Sequence, residues 1–334
     1  MQSLEATLDA VAVRTRFSGV VRVAGPGSIE LAKPYGLADR AHGILNTIDT
    51  RFSLASGSKA MTALAVVSLI EDGSLELSTT VRSVLGGDLP LIDDGVTIEH
   101  LLAHRSGIGD YLDEDAGHAI IDHVMPIPVH ELASTEDFLA VLDGHATVSP
   151  PGDRFAYCNG GYVVLALIAE RISGAAFNQL VRLRVCEPAG MGDTAFLRSD
   201  ELPGDAAIGY LTDDDARTNV LHLPVLGSGD GGIYSTVADI STFWTSFSSG
   251  QIVSDRWVAE MVRPRSDVPQ GSSRYGLGFW LRATSDAVML EGYDAGVSFR
   301  SVHHASSAIT HTVISNTSEG AWAITRLLDE RLGT

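Results

Sequence analysis

The segment from Ser58 to Asp72 constrains this chain more than any other. It reads as a helix that is apolar nearly all round and stops at Gly73, and a helix with no polar face has to be covered on every side. The rest of the chain must build that cover. At the amino end, Gly19 to Val23 and Ser28 to Ala32 are short apolar or alternating runs separated by Gly25-Pro26-Gly27, the pattern of a hairpin. At the carboxyl end, after a helical Val237 to Phe247, the runs Gly276 to Leu281, Ala287 to Leu290, Val297 to His303 and Ala308 to Ser315 read as strands before a last helix from Ala321 to Leu332. Between them, roughly Ser74 to Asp230, helical stretches at Thr97 to Leu102, Thr135 to Leu142 and Gly160 to Ile172 alternate with loops. Edge strands need partners, so an α+β fold is expected. It has a sheet built from both termini with a mainly helical lobe inserted between them. The expected organisation is a single domain over residues 1–334, with an α/β lobe of 1–55 plus 231–334 and a helical lobe of 56–230.

The charge balance narrows the function. With 23 Lys+Arg against 42 Asp+Glu the net charge is −19, which repels phosphate backbones and anionic lipid, so neither nucleic acid nor a membrane surface is an expected partner. The longest apolar runs, Met61 to Ile70 and Tyr162 to Ala169, are about half the roughly 20 residues of a spanning helix. The amino end carries acidic residues and reads as an amphipathic helix without the features of an export signal, which leads to the expectation of a cytoplasmic protein. Cys158 and Cys186 are too few for a disulfide framework and read as reduced thiols.

Chemistry enters through lysine usage. Only Lys33 and Lys59 occur, against 21 arginines, so a lysine here is informative. Lys59 falls in the first turn of the apolar helix, where burial and the positive end of the helix dipole both favour the neutral amine. An arginine could not lose its proton there. Ser56, three residues earlier, shares a face with it, and a desolvated lysine can activate a serine without any histidine. The free N–H of Ser56 at the helix start suits half of an oxyanion hole. Taken alone, Ser56 could equally be a helix cap and Lys59 a snorkelling side chain. A second signal lies about 100 residues on, at Tyr157-Cys158-Asn159. Tyr157 can relay a proton, and Asn159 can hydrogen-bond an ester or amide carbonyl.

Together, Ser56-Gly57-Ser58-Lys59 and Tyr157-Cys158-Asn159 resemble the penicillin-recognising serine enzymes, in particular class C β-lactamases, D-amino peptidases and related esterases. Further stretches carry the resemblance: Leu101 to Ile108, Gly229 to Thr236 and Tyr275 to Phe279. It implies a β-lactamase-like fold, with an antiparallel sheet from both termini flanked by helices, and an acyl-enzyme hydrolase with Ser56 as nucleophile, and with either Lys59 or Tyr157 as primary base. The implied substrates are small carboxylic esters or amides, with weak β-lactam hydrolysis as a further activity. A D-amino-acid peptidase or transacylase on the same serine, and a non-turning-over binding or scaffold protein with this fold, are the alternatives. One box departs from the family. Where relatives have Lys-Thr-Gly or His-x-Gly, this chain has Gly292-Tyr293-Asp294-Ala295-Gly296. A one-residue slip in alignment sets Tyr293 in the cation's place with Asp294 beside it, and Gly296 near the second oxyanion donor. Asp294 would repel a substrate carboxylate.

Other patterns carry less. His100 and His104 have the spacing of a zinc pair, but Leu101 stands where a zincin needs Glu, so no metal is expected, and no cofactor. Gly227 to Gly232 lacks the Lys-Ser/Thr ending of a phosphate loop and reads as a tight turn at the active-site wall. No Gly-x-Ser-x-Gly elbow occurs, and Asp93-Asp94 and Asp213 to Asp215 read as solvated loop carboxylates.

Overall fold

The computed structural model describes residues 3–26, 30–112, 117, 119–269, 271 and 273–332. Its centre is the helix Lys59–Glu71, in which every residue from Lys59 to Leu69 is buried. A one-turn 3-10 segment, Ala55–Ser58, leads into it. The helix Asn159–Ser173, buried from Asn159 to Ala169, shares its apolar core.

On one side of these helices lies a sheet of eight described strands. They run in the order Glu30–Tyr35, Gly19–Ala24, Ile309–Ser315, Val297–His304, Ala287–Asp294, Trp280–Arg282, Ser273–Tyr275 and Ser266–Asp267, with antiparallel neighbours throughout. The amino and carboxyl ends meet in its middle, where Gly19–Ala24 pairs with Ile309–Ser315. Pro34 sits on the edge strand, the position where a missing N–H is tolerated. Alternation divides the side chains of the central strands. Val20 and Ile314 enter the main core, while Val21, Val23 and Val313 face a second cluster with Leu8, Val11, Ile324 and Leu328. The helices Leu4–Thr15 and Ala321–Leu332 supply that second cluster, so both faces of the sheet are covered.

Two expectations need correction. Gly276 to Leu281 is not a strand: Ser273–Tyr275 and Trp280–Arg282 form a hairpin with Tyr275 opposite Trp280, and Gly276 to Phe279 turn between them. Leu277 and Phe279 are fully buried, as strand residues would be, but Gly278 has φ 88° and approaches so closely that a Cβ there would lie 2.4 Å from that of Ala63. The run Thr135 to Leu142 is a 3-10 turn, Glu136–Phe138, followed by a single α-turn, Leu139–Leu142. Of the expected amino-terminal hairpin, Gly27, Ser28 and Ile29 lie outside the described residues; the strands on either side of them pair as expected.

Because the central helix is enclosed, truncating its core-facing side chains should be costly. Leu64 is fully buried, and Leu64→Ala should destabilise the chain by about 2–5 kcal/mol. Urea unfolding should show a lowered midpoint at unchanged slope. A loss under about 1 kcal/mol would mean that the helix is not packed on all sides.

Candidate active site

Ser56 occupies a strained, tightly held turn. Ala55, immediately before it, has φ 45°, a left-handed conformation that L residues adopt only where the surroundings enforce it. Leu54 N–H donates to Ile233 O at 2.9 Å and Gly57 N–H to Leu54 O at 2.9 Å. The Ser58 hydroxyl donates to Ala55 O at 2.8 Å. The strand Ala287–Asp294 runs alongside. It pairs with Trp280–Arg282 only through Val288 and Met289, and past that point its backbone lies against the turn. A Cβ at Gly292 would sit 2.0 Å from Leu54 O and 2.9 Å from Gly57 N, and one at Gly57 would meet the Phe299 ring at 2.4 Å. Glycine at 292 lets the strand and the turn touch backbone to backbone, and glycine at 57 leaves room for the Phe299 ring.

Beneath Ser56 lies the amine of Lys59, only 2% exposed. Its Nζ donates to Ser56 Oγ at 2.8 Å, to Asn159 Oδ1 at 2.7 Å and to the main-chain oxygen of Asp230 at 2.9 Å. The rings of Tyr157 and Tyr162 lie 5.0 Å and 5.7 Å from it, within cation–π range. Helical geometry brings Ser56 to Lys59; the other two acceptors arrive from distant segments.

Each of those segments is anchored in turn. Asn159 begins its helix, and the Asp110 carboxylate accepts the N–H groups of Asn159 at 2.6 Å and Gly160 at 2.8 Å. It thereby caps the helix from another segment, at the end where a negative charge is favoured. Asn159 Nδ2 donates to Leu112 O at 3.2 Å, so the amide oxygen is turned toward Lys59. The Asp230 carboxylate accepts the Tyr111 hydroxyl at 2.5 Å. Burial raises the Asp230 pKa against the opposing pull of Lys59, and burial followed by the Asp230 charge drives the Tyr111 phenol well above its ordinary value. Burial likewise lifts Asp110 to about 6, opposed by the N–H groups of Gly160 and Asn159.

The cleft above Ser56 is lined by Asn159, Tyr293, Asp294, Asp230, Gly231 and Gly232, with an apolar wall from Leu112, Met125, Leu197, Leu223 and Pro224. Gly227 to Gly232 therefore does form a wall of the cleft. Tyr157 packs against His104, ring centroids 4.3 Å apart, and stacks on Trp280 at 5.9 Å. The third box is split by strand alternation. Asp294 is in register with Gly292 on the face toward the Ser56 turn, whereas Tyr293 turns its hydroxyl to Glu319 at 2.7 Å and its ring to Trp322. Gly296 stands apart from the cleft, in the turn before Val297–His304, and its N–H donates to Ser318 Oγ at 2.8 Å. The backbone beside Ser56 is thus Gly292 to Asp294, and the N–H of Gly296 is already engaged. His100 accepts the Thr97 N–H in a capping box of its own helix.

Sequence reasoning missed Asp110, Tyr111 and the carbonyl of Asp230. Asp230 sits inside a glycine cluster whose tight packing was the one visible signal. Asp110 and Tyr111 offered none, since their partners are 49 and 119 residues away.

The Asp110 pKa has a testable consequence. Its folded value, about 6, exceeds the roughly 3.9 of an unfolded aspartate, so the folded chain binds this proton more tightly. The resulting stability is fully present below about pH 4 and is lost as pH rises through about 6. In thermal unfolding from pH 4 to 7, the wild type should lose ground against Asp110→Asn as pH rises. A pH-independent difference would show that Asp110 ionises normally.

Comparisons with known proteins bear on the family and the fold. The family model named Beta-lactamase matches residues 4–327. The putative penicillin-binding protein PbpX of Bacillus subtilis is 29% identical over 79% of the chain, and the esterase EstB of Burkholderia gladioli is 35% identical over 59% of it. The chain spans 62% and 53% of the length of these two proteins. The crystal structure of a penicillin-binding protein from Bacillus halodurans superposes with a TM-score of 0.90 at 31% identity, covering 97% of this chain and 99% of that one.

Proposed function

Since the chain belongs to the beta-lactamase family, we propose that it is a serine hydrolase in which Ser56 attacks a carbonyl and Lys59, coupled to Tyr157, carries the proton. One observation supports this above all. A neutral lysine amine has two N–H bonds and one lone pair, and two of the described partners of Lys59, Asn159 Oδ1 and Asp230 O, can only accept. They take both N–H bonds, which leaves the lone pair directed at Ser56 Oγ, 2.8 Å away. A hydroxyl can donate as well as accept, so the same contact serves the neutral and the charged amine. Proton transfer from Oγ to Nζ then needs no rearrangement.

In the reaction, Oγ forms a bond to the carbonyl carbon as its proton passes to Lys59. The oxyanion is held by the N–H of Ser56 and a second main-chain N–H from the edge Gly292 to Asp294. The leaving group departs with a proton from the Lys59 and Tyr157 pair, and water, activated by the same pair, releases the acid and restores Ser56. Asn159 acts in this scheme by orienting the amine. The acyl pocket, with its apolar wall and the carboxylates of Asp230 and Asp294, suits an uncharged ester. Those two carboxylates also favour a second reading, amidase action on amine-bearing amino-acid amides.

Lys59→Arg keeps the positive charge but cannot give up its proton. With folding intact, hydrolysis of a nitrophenyl ester should fall by about 10²–10⁴-fold, the range of general-base catalysis. A folded variant within about threefold of wild type would remove Lys59 as the base. Mass spectrometry after fluorophosphonate treatment should place the adduct on Ser56, and Ser56→Ala should abolish it.

Substrate charge gives an independent measurement. Short uncharged esters should exceed penicillins in kcat/KM by at least about tenfold, or about 1.4 kcal/mol, because Asp294 faces the position where a carboxylate would bind. Equal efficiencies would show that the cleft tolerates an anion.

A further inference from the structure

His104 is almost fully buried and has φ 52°, an uncommon conformation for a side chain with a Cβ. In this conformation it holds the chain on both sides of Tyr157. Its carbonyl accepts the N–H of Ala156 at 2.8 Å, and its Nδ1 accepts the N–H of Cys158 at 3.1 Å. The residues before and after Tyr157 therefore hang from one histidine. The imidazole ring then packs 4.3 Å from the Tyr157 ring, with Tyr162 at 4.9 Å and Tyr275 at 4.7 Å.

The hydrogen bonds also fix the tautomer. Because Nδ1 accepts, the proton of the neutral ring is on Nε2. Among the described residues Nε2 is buried without a hydrogen-bond partner, and the ring lies among the aromatic rings of Tyr157, Tyr162 and Tyr275. Burial, and after it the Lys59 charge, push the imidazole pKa well below its ordinary value. The ring therefore adds no second charge beside the amine. Packing alone would be served as well by a phenyl ring; the acceptor at Nδ1 and the left-handed backbone are what a phenylalanine would not supply.

We propose that His104 is a positioning residue for Tyr157: its carbonyl and Nδ1 fix the backbone on either side, and its ring fixes the phenol relative to Lys59. The inference rests on the role given to Tyr157 above. A double-mutant cycle on the full chain tests it, with His104→Asn, Tyr157→Phe and the pair, read by nitrophenyl ester kcat and KM and by the rate of fluorophosphonate labelling of Ser56. Asparagine tolerates the left-handed backbone and retains a side-chain acceptor for Cys158 N–H while removing the ring.

His104→Asn alone should lower kcat at least about tenfold with KM changed by less than about threefold, and should add less than about twofold to the loss in the Tyr157→Phe background. A similar fold-loss in both backgrounds, or a single variant within about twofold of wild type, would overturn the inference while leaving Tyr157 in its role. Tyr157→Phe at the wild-type rate would instead remove Tyr157 from the mechanism, and the inference with it. If His104→Asn does not fold, His104→Gln goes through the same cycle. Failure of both to fold would make His104 a fold determinant only and overturn the assignment.

Discussion

A primary amine enclosed by protein is the condition on which the rest of this structure depends. Desolvating Lys59 is expensive unless its hydrogen-bonding capacity is met, and three acceptors among the described residues come from the turn before its own helix, the start of the helix Asn159–Ser173 and the main chain of Asp230. The last two lie 100 and 171 residues away in sequence. Holding them in place requires further polar contacts: Asp110 on the helix start, Leu112 O on the Asn159 amide, and Tyr111 on the Asp230 carboxylate. The site is a polar network built outward from one nitrogen, and each layer sets the direction of the layer inside it.

The sheet provides the rigid surface against which this network is set. Gly292 removes the side chain that would keep the Ser56 turn away from the strand Ala287–Asp294, and Gly57 makes room for the Phe299 ring of the next strand; the turn tolerates a left-handed Ala55 because contacts on either side determine its path. Main-chain groups are the most precisely placed donors a protein has, since they carry no rotamer freedom. An oxyanion site made from this junction therefore inherits the stiffness of the sheet, covered on both faces by apolar clusters.

Electrostatically the cleft sets one buried amine against two acids. Lys59 lies under the floor, whereas Asp230 and Asp294 reach the walls. Lys59 pulls the Asp230 pKa down against burial, while burial and then the acids Asp230, Asp110 and Asp294 push the Tyr111 phenol up. The aromatic group of His104, Tyr157, Tyr162, Tyr275 and Trp280 separates the amine from solvent on another side without adding charge.

What could be read from the sequence was what depends on near neighbours. The enclosed helix, the strands at both ends and the Ser56–Lys59 pair all follow from periodicity or from one turn of helix, distances that local geometry dictates. Tyr157-Cys158-Asn159 became legible only through resemblance, because nothing within a few residues of it points to Lys59. Long-range contacts escaped. The stretch Gly276 to Leu281 buries Leu277 and Phe279 as a strand would, yet two glycines and the approach of Ala63 make it a turn. The sequence pattern suggests that Gly296 lines the cleft, but the register of two strands carries it past Ser56 to Ser318. By itself the sequence determined that Ser56 and Lys59 share one turn and which segments must be inside. The tertiary structure alone decided which carbonyl, amide and carboxylate surround the amine, because partners separated by 50 to 170 residues are chosen by how helices and strands pack, and no local pattern encodes that choice.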